Sequence, residues 1–144
     1  MTATEIEDLI VARLRDRLLE NITVEAAPED PSLYAIKGAK GCVLVRYASS
    51  TYTPPERYAL IQQRTARVSV ICGARSLRIK EGHQGVLDLM EAAIQALTMF
   101  KASASAGRFY VQDDEFIREE KNIWWYGFTV IIPNELHYQQ SPIE

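Results

Sequence analysis

Cysteine is scarce in this chain, with two residues among 144, too few for the disulfide framework of a small secreted domain. Cys42 and Cys72 both fall in stretches that read as strands, where a thiol acts as a small hydrophobe, and a reducing compartment suits them. Histidine is as rare. His83 and His137 stand alone, and without an H-E-x-x-H or paired C-x-x-C spacing no zinc centre has its ligands. There is no Gly-rich phosphate loop, because Gly38 and Gly41 lack the lysine-serine pair and helix that should follow. No G-x-S-x-G elbow supplies a nucleophile. No apolar run approaches the roughly 20 residues of a membrane span, and the opening MTATEIEDLI is acidic where a secretory signal is basic. These absences predict a cytosolic protein that is not an enzyme and takes no metal, cofactor or membrane partner.

Neither sign of charge dominates. The 16 basic and 19 acidic residues leave a net charge of -3, so no field draws the chain to nucleic acid or to an anionic membrane. Asp113-Asp114-Glu115 and Glu119-Glu120 read as solvated turns at hairpin ends, in preference to a divalent-cation site.

Apolar residues make up 47% of the chain, enough for one core in one domain. Thr2-Ala3-Thr4-Glu5 has the form of a capping box, and Ile6, Ile10, Leu14 and Leu18 follow at spacing four. This predicts an amphipathic first helix ending near Asn21. Residues 22–26 alternate as a short strand, 28–31 form a turn and 33–36 a second extended piece. Residues 42–47 are apolar on both faces, as an interior strand is. The stretch 48–58 reads as a long loop carrying Tyr52 and Arg57, with Pro54-Pro55 fixing its backbone.

The central strand spans 62–77, with Ala66, Val68, Val70 and Cys72 on one face and Arg67, Ser69 and Ile71 on the other. Arg64, Arg67, Arg75, Arg78 and Lys80 then sit at or beyond its ends as rim cations, and 73–82 forms a projecting basic arm. Residues 83–100 repeat apolar side chains at three and four, a second helix. Two short strands, 108–112 and 115–120, precede a last interior strand at 123–133. There Trp124 and Trp125 point to opposite faces, one in the core and one at the surface or an interface. Pro133-Asn134 ends that strand, leaving 1–134 as the domain and 135–144 as a tail. The fold class is α/β in the α+β sense: a mixed, mainly antiparallel sheet with two helices packed on one face.

In this order the motifs resemble the Mu-like tail terminator proteins of contractile-tailed phages. The resemblance covers residues 2–133 and starts with the amphipathic helix. V-L-V-R-Y-x-x-S-x-Y follows at Val43, Leu44, Val45, Arg46, Tyr47, Ser50 and Tyr52, then an arginine-led strand from Arg64 through Val68 and Val70. A-R-S-L at 74–77, Gly-Val-Leu-Asp-Leu at 85–89 and W-x-Y at Trp124 and Tyr126 complete it. The departures are residues 102–107 and the chain after Asn134.

The resemblance implies a virion structural protein, assembled in the host cytoplasm. It would form a homohexameric ring at the neck-proximal end of the tail, ending polymerisation of tube and sheath and joining the tail to the head. Its partners would be copies of itself, the tail tube protein, the sheath protein and a neck or connector protein. The genome would pass through the ring without specific binding. Tyr52, Arg57, Arg64, Arg67, Arg75, Arg78 and Trp125 are the candidates for subunit or tail and neck contacts. The alternative is a small cytosolic ligand-binding domain or enzyme with a pocket near the 52–58 loop.

Overall fold

Thr2 starts the first helix, α1 (Ala3–Arg17). Its Oγ1 accepts from the Glu5 backbone N–H at 3.1 Å and donates to the Glu5 carboxylate at 3.3 Å, satisfying an orphan helix donor for about 1 kcal/mol. The structure, a computed structural model, describes residues 1–29, 41–55, 61–80, 85–103 and 106–138. α1 stops at Arg17, short of Asn21, where Leu18 turns extended while its N–H still reaches the Leu14 carbonyl at 2.8 Å. Arg15 Nε donates to the Val24 carbonyl at 2.9 Å and ties this end of the helix to the sheet.

The strands β1 (Thr23–Ala26), β2 (Cys42–Tyr52), β3 (Ile61–Ala74), β4 (Tyr110–Glu120) and β5 (Ile123–Tyr138) form one 5-stranded sheet in the order β1-β2-β3-β5-β4. The second helix, α2 (Val86–Leu97), lies between β3 and β4 in the chain. β1 and β2 are parallel; every other pairing is antiparallel. Along β3, Ala66, Val68, Val70, Cys72 and Ala74 are buried while Thr65, Arg67, Ser69 and Ile71 are partly exposed.

Both helices pack on that buried face. Ile6, Ile10 and Leu14 of α1 and Val86, Ala93 and Leu97 of α2 join Val43, Val45, Val130 and Ile132 in one core. An apolar helix stripe and the period-two face of a sheet bury one another in this way. Arg13 crosses between the helices. Its Nε donates to the Ala96 carbonyl at 2.9 Å, one of the acceptors that the end of α2 leaves without a helical partner, and its guanidinium lies 4.5 Å from the Phe100 ring centre.

Three expectations are corrected, each at a β-bulge. β2 does not give way to a loop at Ala48. It continues to Tyr52, and Thr53 carries the ladder one step further by donating to the Gln63 carbonyl at 2.9 Å. β5 does not stop at Pro133; Glu135 to Tyr138 pair with β3 from Arg64 back to Ile61, so the expected tail begins as strand. The proline is tolerated because the register shifts there, between Arg64 and Ala66, and a residue without an N–H leaves no ladder bond open. Its carbonyl accepts from Gly107 at 3.1 Å, an approach that a Cβ on Gly107 would block, since it would lie 2.8 Å from Pro133.

The third correction concerns β4. The two strands expected around Asp113-Asp114 are one strand, with register shifts between Val111 and Asp113 and between Phe116 and Arg118. The carboxylates therefore lie along a strand, not in a turn. α2 begins at Val86; its expected start at His83 lies outside the described residues, as do 33–36, Arg57 and 139–144. Cys42 and Cys72 are buried free thiols on opposite faces of the sheet, and burial raises the Cys42 thiol to about 12 and Cys72 further still.

Candidate interaction surface

The expected rim cation Arg64 is corrected first. It is 3% exposed, and its guanidinium is held inside the subunit. Nε donates to Ser50 Oγ at 3.0 Å, Nη2 to Tyr47 Oη at 2.9 Å and Nη1 to the Met1 carbonyl at 2.8 Å. The Tyr47 and Tyr52 rings stand 5.3 and 5.6 Å from it. Tyr47 Oη and Ser50 Oγ also share a short hydrogen bond. Burial raises the Tyr47 phenol, but the hydrogen bonds with Ser50 and Arg64 and the Arg64 charge outweigh it, so its pKa falls below the ordinary value.

The β2 bulge makes this cluster possible. In a regular strand Tyr47 and Ser50, three apart, would face opposite sides. The register shift between Tyr47 and Ser49 turns both toward Arg64. Where β1 ends, the Tyr47 N–H is taken up by Glu7 Oε2 at 2.8 Å, so α1 is pinned to the same bulge. The spacing Y-x-x-S-x-Y therefore marks a bulge closed around a buried arginine. Among the site candidates, Arg64 and Tyr52 are brought together here, and Tyr52 keeps 45% of its surface exposed.

Trp125 is the second correction, being buried within the subunit where a surface or interface aromatic was expected. It is 6% exposed on the sheet face opposite the helices, beside Cys42 and Leu44. Its ring lies against Gly73, its partner across the β3–β5 ladder. A Cβ at Gly73 would come within 2.5 Å of the ring. Arg118 sits 6.0 Å above the indole. On the same face Arg67 donates to the Gln112 side chain at 2.7 Å.

Arg75 and Arg78 remain exposed at the other end of β3, with Lys80 beside them. The arm does not swing free. Val86 and Leu87 donate to the Ser76 and Leu77 carbonyls at 2.8 and 3.2 Å, and Gly85 lies so close to Arg78 and Ile79 that a Cβ would meet their backbone at 2.5 Å. The arm is thus strapped to the first turn of α2 and presents Arg75, Arg78, Ile79 and Lys80 outward, around an open hollow of about 390 Å³ reaching to Trp124.

The opposite charge lies on β4, made by the carboxylates expected in hairpin turns. Asp113, Asp114, Glu115, Glu119 and Glu120 are all exposed on β4, an edge of the sheet, and Arg118 is paired with Glu120 at 3.3 Å. Asp113 and Glu115 stand two apart and share the second face. With Ser69, Ile71, Ile117 and Gly127 they line a groove of about 140 Å³. The i, i+2 spacing was the available signal, and it disappears when Asp113-Asp114 is read as a turn. No group of 3 or more His, Cys, Asp or Glu among the described residues is placed to hold a metal ion. None of the described helices is long and apolar enough to cross a membrane.

Residues 10–137, from the middle of α1 to the end of the sheet, match the family model described as Gp37 protein. The chain belongs to the Gp37 family. Gp37 is a phage protein family, so the chain is a phage-associated protein. The matched span takes in all five strands and α2, including the bulge around Arg64 and the strap at Gly85. No curated protein matches the chain.

Proposed function

We propose that this Gp37-family protein is a tail terminator of a contractile phage tail. In this reading its copies form a homohexameric ring on the neck-proximal end of the tail tube and sheath. The ring ends polymerisation and joins the tail to the neck. The observation that carries the reading is that one subunit bears two oppositely charged surfaces: the exposed basic strap at 75–80 and the acidic edge strand β4. Such a subunit associates head to tail, and a head-to-tail contact that closes makes a ring. Family membership among phage proteins and the resemblance of the motif order support the same reading.

A growing tube adds layers while its terminal surface repeats. A ring matching the tube on one side and differing on the other removes that repeat, so growth stops without catalysis. Contacts of modest energy suffice, because every subunit repeats them. The tube, sheath and neck proteins are the partners on this account, and the genome passes through the ring without specific contacts. The alternative, a ligand pocket near the 52–58 loop, turns on residues 56–58, which lie outside the described residues; at the start of that stretch Tyr52 stands beside the Arg64 guanidinium. Negative-stain microscopy with native mass measurement tests the ring directly. Closed rings of six copies are expected, and a protein that stays monomeric at high concentration contradicts the proposal.

A further inference from the structure

We propose that the groove on β4 is the docking site for the basic strap of a second copy of this chain, with Ile79 seated in the groove between the Asp113 and Glu115 carboxylates. The inference rests on the ring reading above and names the residues that would make its contact.

Three observations lead to it. Ile79 is 68% exposed, the most exposed large aliphatic side chain on the described surface, and it lies between the exposed cations Arg78 and Lys80. An apolar side chain between two charges at successive positions is costly to leave in water and has the form of an anchor with two guides. The groove has the complementary layout. Its floor is apolar, made by Ile71, Ile117 and the bare backbone of Gly127, and Asp113 and Glu115 stand along it. Finally, Arg75, Arg78 and Lys80 make no ion pair with a described residue, and neither do Asp113 and Glu115. Among the described residues, each surface is left with its charge uncompensated.

The bulges of β4 shape the groove and exclude the simplest competing contact. An eleven-residue edge strand invites pairing with another strand. In β4 the register shifts interrupt that ladder twice, at Val111/Asp113 and Phe116/Arg118. Two copies of β4 laid together about a two-fold axis would also oppose carboxylates to carboxylates, a destabilising arrangement. The second bulge turns Ile117 and Arg118 to the same face, over Gly127 and Trp125, and so supplies one wall of the groove. A symmetric β4 dimer is therefore disfavoured, while a head-to-tail contact between strap and groove is complementary in charge and shape and propagates around a ring.

The test is a charge exchange. Variant one carries Arg78→Glu with Lys80→Glu; variant two carries Asp113→Lys with Glu115→Lys. Native mass spectrometry and light scattering read assembly, and circular dichroism with thermal melting shows that each variant is folded. Each variant alone is expected to lose the oligomer, since its strap and groove then carry the same sign. Mixed in equal amounts, the two are expected to recover rings in which they alternate. Ile79→Asp should lose assembly without rescue by either. Raising salt from 0.1 M to 1 M, which shortens the screening length from about 10 Å to about 3 Å, should weaken wild-type assembly. Rings formed by either reversal variant alone as readily as by the wild type, or folded reversal variants that the mixture fails to rescue, overturn the docking. A wild-type chain that never associates overturns it as well. Tail lengths measured in the absence of the protein read the terminator proposal separately, so rescue by charge exchange with normal tail lengths would refute that function while leaving this contact standing.

Discussion

Replacing Arg64 with methionine keeps most of the apolar stem and removes the guanidinium that holds β2, β3 and the N-terminal residue together. The bonds lost include three that it donates to described residues, at Ser50 Oγ, Tyr47 Oη and the Met1 carbonyl. Hydrogen bonds from a charged group contribute about 1.5–3 kcal/mol each, which would suggest about 4.5–9 kcal/mol in all. Two effects reduce that sum. Tyr47 and Ser50 keep the hydrogen bond they make to one another, and the desolvation of a buried cation is no longer a cost. The expected net loss is about 2–4 kcal/mol, or a fall in Tm of roughly 6–12 °C for a chain of this size. Arg64→Lys should recover little, because one ammonium on a flexible stem cannot replace a planar fork reaching three acceptors. The assay is urea denaturation followed by Trp fluorescence, with the slope against denaturant checked for constancy. Arg67→Met, which loses one exposed bond to Gln112, serves as comparison at under about 1 kcal/mol. If Arg64→Met costs no more than an ordinary surface substitution, about 0.5 kcal/mol, the buried cluster does not hold this end of the sheet.

Gly73→Ala places a Cβ where the Trp125 ring lies, at 2.5 Å, so the indole must move; a cost of about 1–3 kcal/mol and an altered near-UV circular dichroism spectrum are expected. Leu14→Ala, at a fully buried position in the single large core, should cost about 2–5 kcal/mol in the same denaturation assay. The Cys42 thiol is raised by burial to about 12 in the fold, against an ordinary value of 9.0, so above pH 9 the unfolded chain releases a proton that the folded chain retains. Stability should therefore decline as pH rises from about 9 toward 12, by up to about 1.4 kcal/mol per pH unit for this thiol, and Cys42→Ala should flatten that part of the profile.

Periodicity made the fold class legible. Ile6, Ile10 and Leu14 repeat every fourth residue, Ala66 to Cys72 every second, and each pattern points to one buried face. What periodicity could not supply was the position of the bulges, because an inserted residue reverses the parity on which strand reading depends. The same cause hid the continuation of β2 past Ala48, the passage of β5 through Pro133 and the unity of β4. It also misplaced function. Arg64 lies beyond the regular part of the β3–β5 ladder and reads as a rim cation, yet the β2 bulge closes Tyr47 and Ser50 over it. Trp125 reads as a surface aromatic by alternation with Trp124, but the absence of a side chain at Gly73 gives it a seat. Arg75 and Arg78 were legible as exposed cations, because with Lys80 they cluster in a short basic stretch bracketed by glycines beyond the central strand. The acidic residues of β4 were legible as solvated, but not as one edge strand.

Tail length is the most direct measure of the proposed function. Particles would be assembled with and without this protein, and the lengths of their tail tubes measured by electron microscopy. The account predicts a narrow distribution with the protein present, and long, variable tubes that fail to join heads in its absence. Restoring wild-type protein should return both length and joining, whereas the folded Arg78→Glu, Lys80→Glu variant should not. A length distribution that is the same with and without the protein would contradict the terminator function.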